Sequence, residues 1–277
     1  MKTGWITQSD AEYFARTEDM NASWLSDIYT WRRMRFPQSI TKKSVALLTG
    51  TAFHLAVLQP ELFRKRVHRF EGDLKSAKNK AAYAEKQELI KDQPEEFILR
   101  AADFDLALSM ADAVNNDSEA QDILRDCVNE QAGYRKLNLP HMEGMKPPGF
   151  AKIKLDARKR GFIIDLKSTT AKNMRELQSA VEDFHYDLKA KYYFKIANGI
   201  EEVAKSGISY ERFIWIFATK TIPSQCIVYE VSEGDLLIGE HKHMVAYETL
   251  KNYYRNGDTN SVLECPEWKW KRYKNLL

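Results

Sequence analysis

Cysteine is scarce in this chain. Its 277 residues hold three, Cys127, Cys226 and Cys265, odd in number and far apart. A disulfide framework is therefore not expected, and no CxxC pair suggests structural zinc. Three scattered thiols also fall short of the full thiolate set of a typical iron–sulfur cluster. Long apolar runs are missing as well, since no stretch approaches the ~20 residues of a membrane span. Met1 to Asp10 lacks the apolar core of a secretion signal, so a cytoplasmic protein is expected. Internal repeats, low-complexity tracts and long Gly/Ser/Pro linkers are absent. There is no P-loop or Gly-rich dinucleotide fingerprint, and no nucleophile elbow marks a serine hydrolase.

Charge of one sign is not in large excess either. The net charge of +3 does not by itself announce a nucleic-acid binder, so local runs must carry that argument. They are Arg32-Arg33-Met34-Arg35, Arg64-Lys65-Arg66, Arg158-Lys159-Arg160 and Lys269-Trp270-Lys271-Arg272-Tyr273-Lys274. Each could neutralise phosphates, and the last interleaves aromatics able to stack on bases. Each could equally be solvated surface.

What the chain has is material for a large core: 44% of its residues are hydrophobic and 29% charged. Apolar spacing near 3.6 makes the first ~125 residues mainly helical. Asn21 or Ser23 can cap a helix carrying Trp24, Leu25, Ile28 and Trp31. A second helix runs through Leu47, Phe53, His54 and Leu58 and stops at Pro60. Helices follow over 77–91, 95–115 and 119–126. From Cys127 the pattern turns to strands, over 127–134, 150–157 and 161–168, with a Pro/Gly loop between Pro140 and Gly149. Helices at 172–182 and 187–205, strands at 212–218 and 225–231, and a helix near 234–254 complete the order. This predicts an α+β or mixed α/β fold. One domain is expected, its parts being a helical 1–126, a sheet core 127–231, and a C-terminal helix and tail 232–277.

Chemistry is concentrated between Lys154 and Lys167. Two strands joined by a basic, glycine-containing turn make a hairpin. Alternation on the second strand sends Phe162, Ile164 and Leu166 to one face and Ile163, Asp165 and Lys167 to the other. Charges interleaved with apolar residues are costly unless paired or used. Asp156, on the neighbouring strand, can bring a second carboxylate close, and a divalent cation would relieve the repulsion. Magnesium suits such a site. It would lower the pKa of a bound water and clamp a phosphate, with Lys167 offsetting the charge that develops. A plain Asp165–Lys167 ion pair in an ordinary hairpin gives the same spacing.

At these residues the chain resembles the PD-(D/E)xK nuclease superfamily, and within it the phage exonucleases of the RecE and lambda-exonuclease type. The segment Gly161-Phe162-Ile163-Ile164-Asp165-Leu166-Lys167-Ser168-Thr169 is similar to that family's second-acid-and-lysine strand. Lys152-Ile153-Lys154-Leu155-Asp156-Ala157 is similar to the strand of its first acid, with Leu155 where a proline often stands. Leu48 to Phe63, reading LTGTAFHLAVLQPELF, matches the helical "GTAxHxxxLxPxxF" signature. The resemblance implies a restriction-endonuclease-like core sheet flanked by helices. It makes His54, in the helical part, a metal ligand or near-ligand, and Glu130 an additional acid at the metal. Tyr186 to Tyr193 resembles the family's "Q-x-x-x-Y" helix, which lines the active site. Tyr193 fits the tyrosine, and Lys189 stands where the glutamine is expected and would contact phosphate as a point charge.

The implied catalytic set is Asp156, Asp165, Lys167, His54 and Glu130, with Asp156, Asp165, His54 and Glu130 at the metal. Lys189, Tyr193, Arg158, Lys159 and Arg160 are the candidate DNA contacts. The cofactor is Mg2+, for which Mn2+ could substitute. The implied activity is digestion of linear double-stranded DNA from 5′ to 3′, leaving 3′ single-stranded tails for recombination. A single-strand annealing protein and a homo-oligomeric ring are the implied partners, in the host cytoplasm if the gene is a phage's. The alternatives are a RecB-like or CRISPR-type nuclease of the same superfamily, a catalytically idle DNA-binding module, and a metal-dependent hydrolase of another substrate.

Overall fold

The β-favouring run Phe162–Thr169 becomes β6, a central strand with helices on both of its faces. The structure is a computed structural model that describes residues 2–36, 44–93, 95–200, 205, 207 and 209–260. Its main sheet also contains β1 (Gly4–Ile6), β4 (Val128–Lys136), β5 (Phe150–Lys159), β7 (Arg212–Thr219) and β8 (Cys226–Glu230). The strand order is β1-β4-β5-β6-β7-β8. All neighbours are antiparallel except β6 and β7, which run parallel with Asp165 opposite Trp215 and Lys167 opposite Phe217. Gly161, at φ +81°, makes the tight β5–β6 turn that a side chain would strain.

One face of the sheet is covered by α2 (Ala22–Trp31), α9 (Tyr186–Asn198) and α10 (Glu233–Asn256). Leu25, Ile28, Tyr192, Val245 and Leu250 pack there against Ile153, Leu155, Ile163, Phe213, Trp215 and Phe217. The other face is covered by α3 (Val45–Leu58) and α6 (Ala101–Asn115), whose Phe53, Leu58, Met110 and Val114 pack on Ala157, Ile164, Leu166, Ile214 and Ile216. The helix starts are conventional. Asn21, Ser44 and Ser232 each accept a main-chain N–H of the helix they cap. Pro60 opens α4 (Pro60–Arg66) and so ends α3, as its missing N–H requires. The helices α9 and α10 touch closely at Gly239, where an added Cβ would lie 2.2 Å from the Asp187 carbonyl oxygen. The remaining helices are α1 (Asp10–Ala15), α5 (Ala77–Leu89), α7 (Ser118–Leu124) and α8 (Met174–Asp183).

Three expectations need correction. The helix read over 95–115 begins only at Ala101. Phe97–Arg100 is β3, paired in parallel with β2 (Val67–Phe70). The three-residue apolar run Phe97-Ile98-Leu99 cannot be told from a first helical turn by periodicity. The helix read to Lys205 ends at Asn198, whose side chain turns instead to the main chain of Tyr210. Residues 201–204 lie outside the described set, as does the basic and aromatic run Lys269 to Lys274. Finally, the β6 face assigned by alternation to Ile163, Asp165 and Lys167 is core at its Ile163 end. Ile163 is fully buried under the three helices, because a central strand with helices on both sides has no solvent face.

Candidate metal centre and active site

The ladders on both sides of β5 break at one place. Between β4 and β5 the register pairs Asn129 with Ala157 and Gln131 with Leu155 and skips the intervening Glu130 and Asp156. Between β5 and β6 the pairing runs from Lys159↔Phe162 to Ala157↔Ile164 and goes no further. Glu130 has φ +53°, in the left-handed region that a non-glycine residue adopts at a cost of ~1–3 kcal/mol. The strand phase slips at this point. Leu155 belongs to the α9-side core, whereas Ala157, two residues on, belongs to the α3-side core. Where β5 and β6 part, the Leu166 N–H has no ladder partner and donates to Asp156 Oδ2 at 2.7 Å. A carboxylate thus takes the place of a strand carbonyl.

Around this fork the predicted residues assemble from four elements. His54, on α3, places Nδ1 3.4 Å from Asp156 Oδ1. Glu130, from β4, offers its carboxylate to the same space. One donor atom each from His54, Glu130 and Asp156 lie within 4.8 Å of one another, the one such group among the described residues. Asp165 is not part of it. Its carboxylate is ion-paired with Lys167 on the same strand. Glu130 in turn is held 2.6 Å from Lys154 Nζ, which also pairs with Asp10. Lysines are therefore the present counterions of two of the acids.

The electrostatics follow from crowding in a poorly hydrated pocket. Burial would raise the Asp156 pKa, but His54, Lys167 and the Leu166 N–H outweigh it and hold the group well below the usual carboxylate range. Burial and the neighbouring Asp156 push Glu130 up. Burial does the same to Asp165, which Lys167 opposes. Burial disfavours charge on His54 and Lys167, yet the facing carboxylates prevail and hold both above their ordinary values. Lys167 is thus kept cationic, suited to stabilise charge and not to accept a proton. Two carboxylates and an imidazole, converging on one space, form a donor set that fits a divalent cation. For cis ligands at ~2.1 Å from a metal, donor atoms stand ~3 Å apart, so only a modest contraction is needed.

On the other side of the fork lies α9. Tyr186 packs against Trp215 and Phe217, with Lys167 Nζ 5.6 Å and Lys189 Nζ 5.2 Å from its ring centroid. Lys189 therefore faces the site and not bulk solvent. Burial and the nearby Lys167 lower its pKa to about 8 against the pull of Asp165 and Asp27. No carboxylate lies within ion-pair distance of it among the described residues. Tyr193 is pushed well above the usual phenol range by burial, with Asp165 adding to the effect, and packs on Phe213. Its neighbour Tyr192 is core, its hydroxyl donating to the carbonyls of Met20 and Lys152.

The hairpin cations do not join the site. Arg158 donates to Gln131 Oε1 and the Tyr210 hydroxyl, and Lys159 donates to the Asp122 carbonyl. Arg160 is exposed at the turn, beyond the end of both strands. Cys127 and Cys226 are separate, half-buried thiols packed against the α3-side core. Cys265 lies outside the described residues. Sequence reasoning missed Lys154, Asp10 and Tyr186. Lys154 was legible, since it stands two residues before Asp156 on the same strand, where regular alternation predicts a shared face. Asp10 was not, because α1 reaches it from far away in the chain.

Among curated proteins, none matches the chain by sequence. Among solved structures, a candidate exonuclease from Eubacterium rectale is similar over 96% of this chain and 94% of its own, at 16% identity and a TM-score of 0.55. A phage related exonuclease from Haemophilus somnus 129PT is matched over 86% of this chain and 93% of its own, at 13% identity and a TM-score of 0.33. The first of these likenesses speaks for the fold. The sequence profile of a PDDEXK-like domain of unknown function (DUF3799) matches residues 31–257, a span that takes in His54, Glu130, Asp156, Asp165, Lys167 and Lys189. The chain belongs to this PDDEXK-like family.

Proposed function

We propose that the protein is a divalent-metal-dependent DNA exonuclease. One observation carries the reading: the donor group His54, Glu130 and Asp156 meets the Asp165–Lys167 pair where β5 and β6 part. Family membership and the exonuclease name of the Eubacterium rectale relative point the same way. His54, Glu130 and Asp156 would hold the cation, and Asp165, paired with Lys167 beside them, is the further candidate ligand. Mg2+ is the proposed ion, with Mn2+ as substitute. When bound, it supplies charge neutralisation for a phosphate and acidifies water.

The remaining work falls to the protein. Lys167, kept cationic by Asp165 and Asp156, sits beside the acids and can donate hydrogen bonds to a non-bridging phosphate oxygen as charge grows there. Lys189 adds a second cation on the α9 side, its amine 5.2 Å from the Tyr186 ring centroid. Tyr193 lies near enough to Asp165 and Asp156 to feel both charges and can orient an acid or a phosphate through its hydroxyl. By resemblance, the substrate is linear duplex DNA cut from 5′ to 3′, leaving 3′ tails for recombination. A ring of several copies and a single-strand annealing protein belong to the same reading.

Digestion of 5′- and 3′-labelled linear duplex in Mg2+, with a nicked circle as control, tests this. Mononucleotide release from 5′ ends alone is expected, with Asp165→Ala and Lys167→Ala inactive but folded. Absence of any cleavage in Mg2+ or Mn2+ would leave a DNA-binding module with an idle site.

A further inference from the structure

Phe184 is a large aromatic side chain left 59% exposed at the edge of the site. It opens the α8–α9 turn and stacks on Tyr186, ring centroids 5.7 Å apart and planes at 26°. Tyr186 is itself fixed by Trp215 and Phe217 and has the amines of Lys167 and Lys189 near its ring. An aromatic step with one free face thus leads from solvent to two cations, one of which, Lys189, has no carboxylate at ion-pair distance among the described residues.

The turn that presents this step is held rigidly. His185 has φ +52°, left-handed for a bulky residue. Its ring is gripped by the Thr30 hydroxyl at 2.9 Å and Lys242 Nζ at 3.3 Å. Lys242 is buried and paired with Asp187 at 2.8 Å, tying the turn to α10. Backbone strain and a buried ion pair hold a turn whose Phe184 side chain stays largely exposed.

We propose that Phe184 and Tyr186 form a stacking subsite for an unpaired nucleobase at the DNA end, next to the phosphate met by Lys167 and Lys189. The proposal rests on the nuclease reading above and adds to it a way of gripping a frayed terminus. The chemistry matches the occupant: every base has a π-face for the aromatic step, and its own phosphate is an anion for Lys189, which has no carboxylate at ion-pair distance among the described residues. Stacking of this kind tolerates any base, so the subsite would hold strand ends without reading sequence.

The test is a double-mutant cycle between protein and DNA. Binding of fluorescently labelled duplexes with a short single-stranded end is measured by anisotropy in EDTA. An abasic nucleotide is moved through the terminal positions of each strand. The wild type is expected to bind roughly tenfold more weakly when the abasic position falls on the subsite. Phe184→Ala should bind all the duplexes at that weaker level, and Phe184→Trp should restore the preference. Circular dichroism checks the fold of both variants. If Phe184→Ala keeps the wild-type pattern, or no position is sensitive in the wild type, the stacking subsite is refuted. Cleavage by the wild type in Mg2+ in that case leaves the nuclease reading standing, whereas a wild type that neither binds nor cuts overturns both.

Discussion

Asp156 accepts the Leu166 N–H through one carboxylate oxygen and faces His54 with the other, so its hydrogen bond and its charge can be removed separately. Asparagine keeps an acceptor for Leu166 and removes the charge. Alanine removes both and leaves a buried main-chain donor without a partner, at a cost of about 1–3 kcal/mol. Unfolding entropy near 2.1 cal/mol/K per residue gives ~0.6 kcal/mol/K over 277 residues. Asp156→Ala should therefore melt about 2–5 °C below Asp156→Asn without metal. A cation at 100 times its Kd stabilises the folded state by ~2.7 kcal/mol, a rise of ~5 °C for the wild type. Neither variant should show that rise. Scanning calorimetry of the three proteins, with and without saturating Mn2+, reads both effects. A wild-type response in Asp156→Asn would remove Asp156 from the ligand set. Equal melting of the two variants would refute the role of Asp156 in bridging β5 and β6.

Gly239→Ala should lower stability by about 1–3 kcal/mol, since the new methyl meets the Asp187 main chain and neither helix is free to recede; urea denaturation reads it, and an unchanged midpoint would contradict the close contact. Lys189→Gln should keep chemistry but weaken duplex binding, with a salt slope shallower by roughly one unit. Identical slopes for the variant and the wild type would take Lys189 off the DNA path. His185 is held down to about 4, by burial first and then by Lys242 and Lys189. Above pH 6.5 it is neutral folded or unfolded, and below that the unfolded chain gains the proton first. Stability should therefore fall as pH drops from about 6.5 toward 4, by at most about 1.4 kcal/mol per pH unit for this one group. His185→Asn, which tolerates the left-handed backbone, should show a shallower decline between pH 6.5 and 5, and an unaltered pH slope would count against a neutral, buried His185.

Local chemistry in the chain already determined much of this protein. Alternation marked β5 and β6, Pro60 set the end of α3, and Asn21 and Ser232 set helix starts, because caps, rings and side-chain parity act within a few residues. The short run from Asp156 to Lys167 was legible as a charged hairpin, and the signature around His54 joined a distant helix to it by resemblance. Tertiary structure decided the rest. It covered the Ile163 face that alternation left open, since three helices supplied by distant segments come to rest there. It drew Arg158 and Lys159 into contacts with Gln131, Tyr210 and the Asp122 carbonyl, partners no local pattern could name. It brought Glu130 to Asp156 through a left-handed residue that breaks the alternation on which strand reading depends. A periodic rule holds only while the backbone is regular, and here the backbone is irregular where the acids meet.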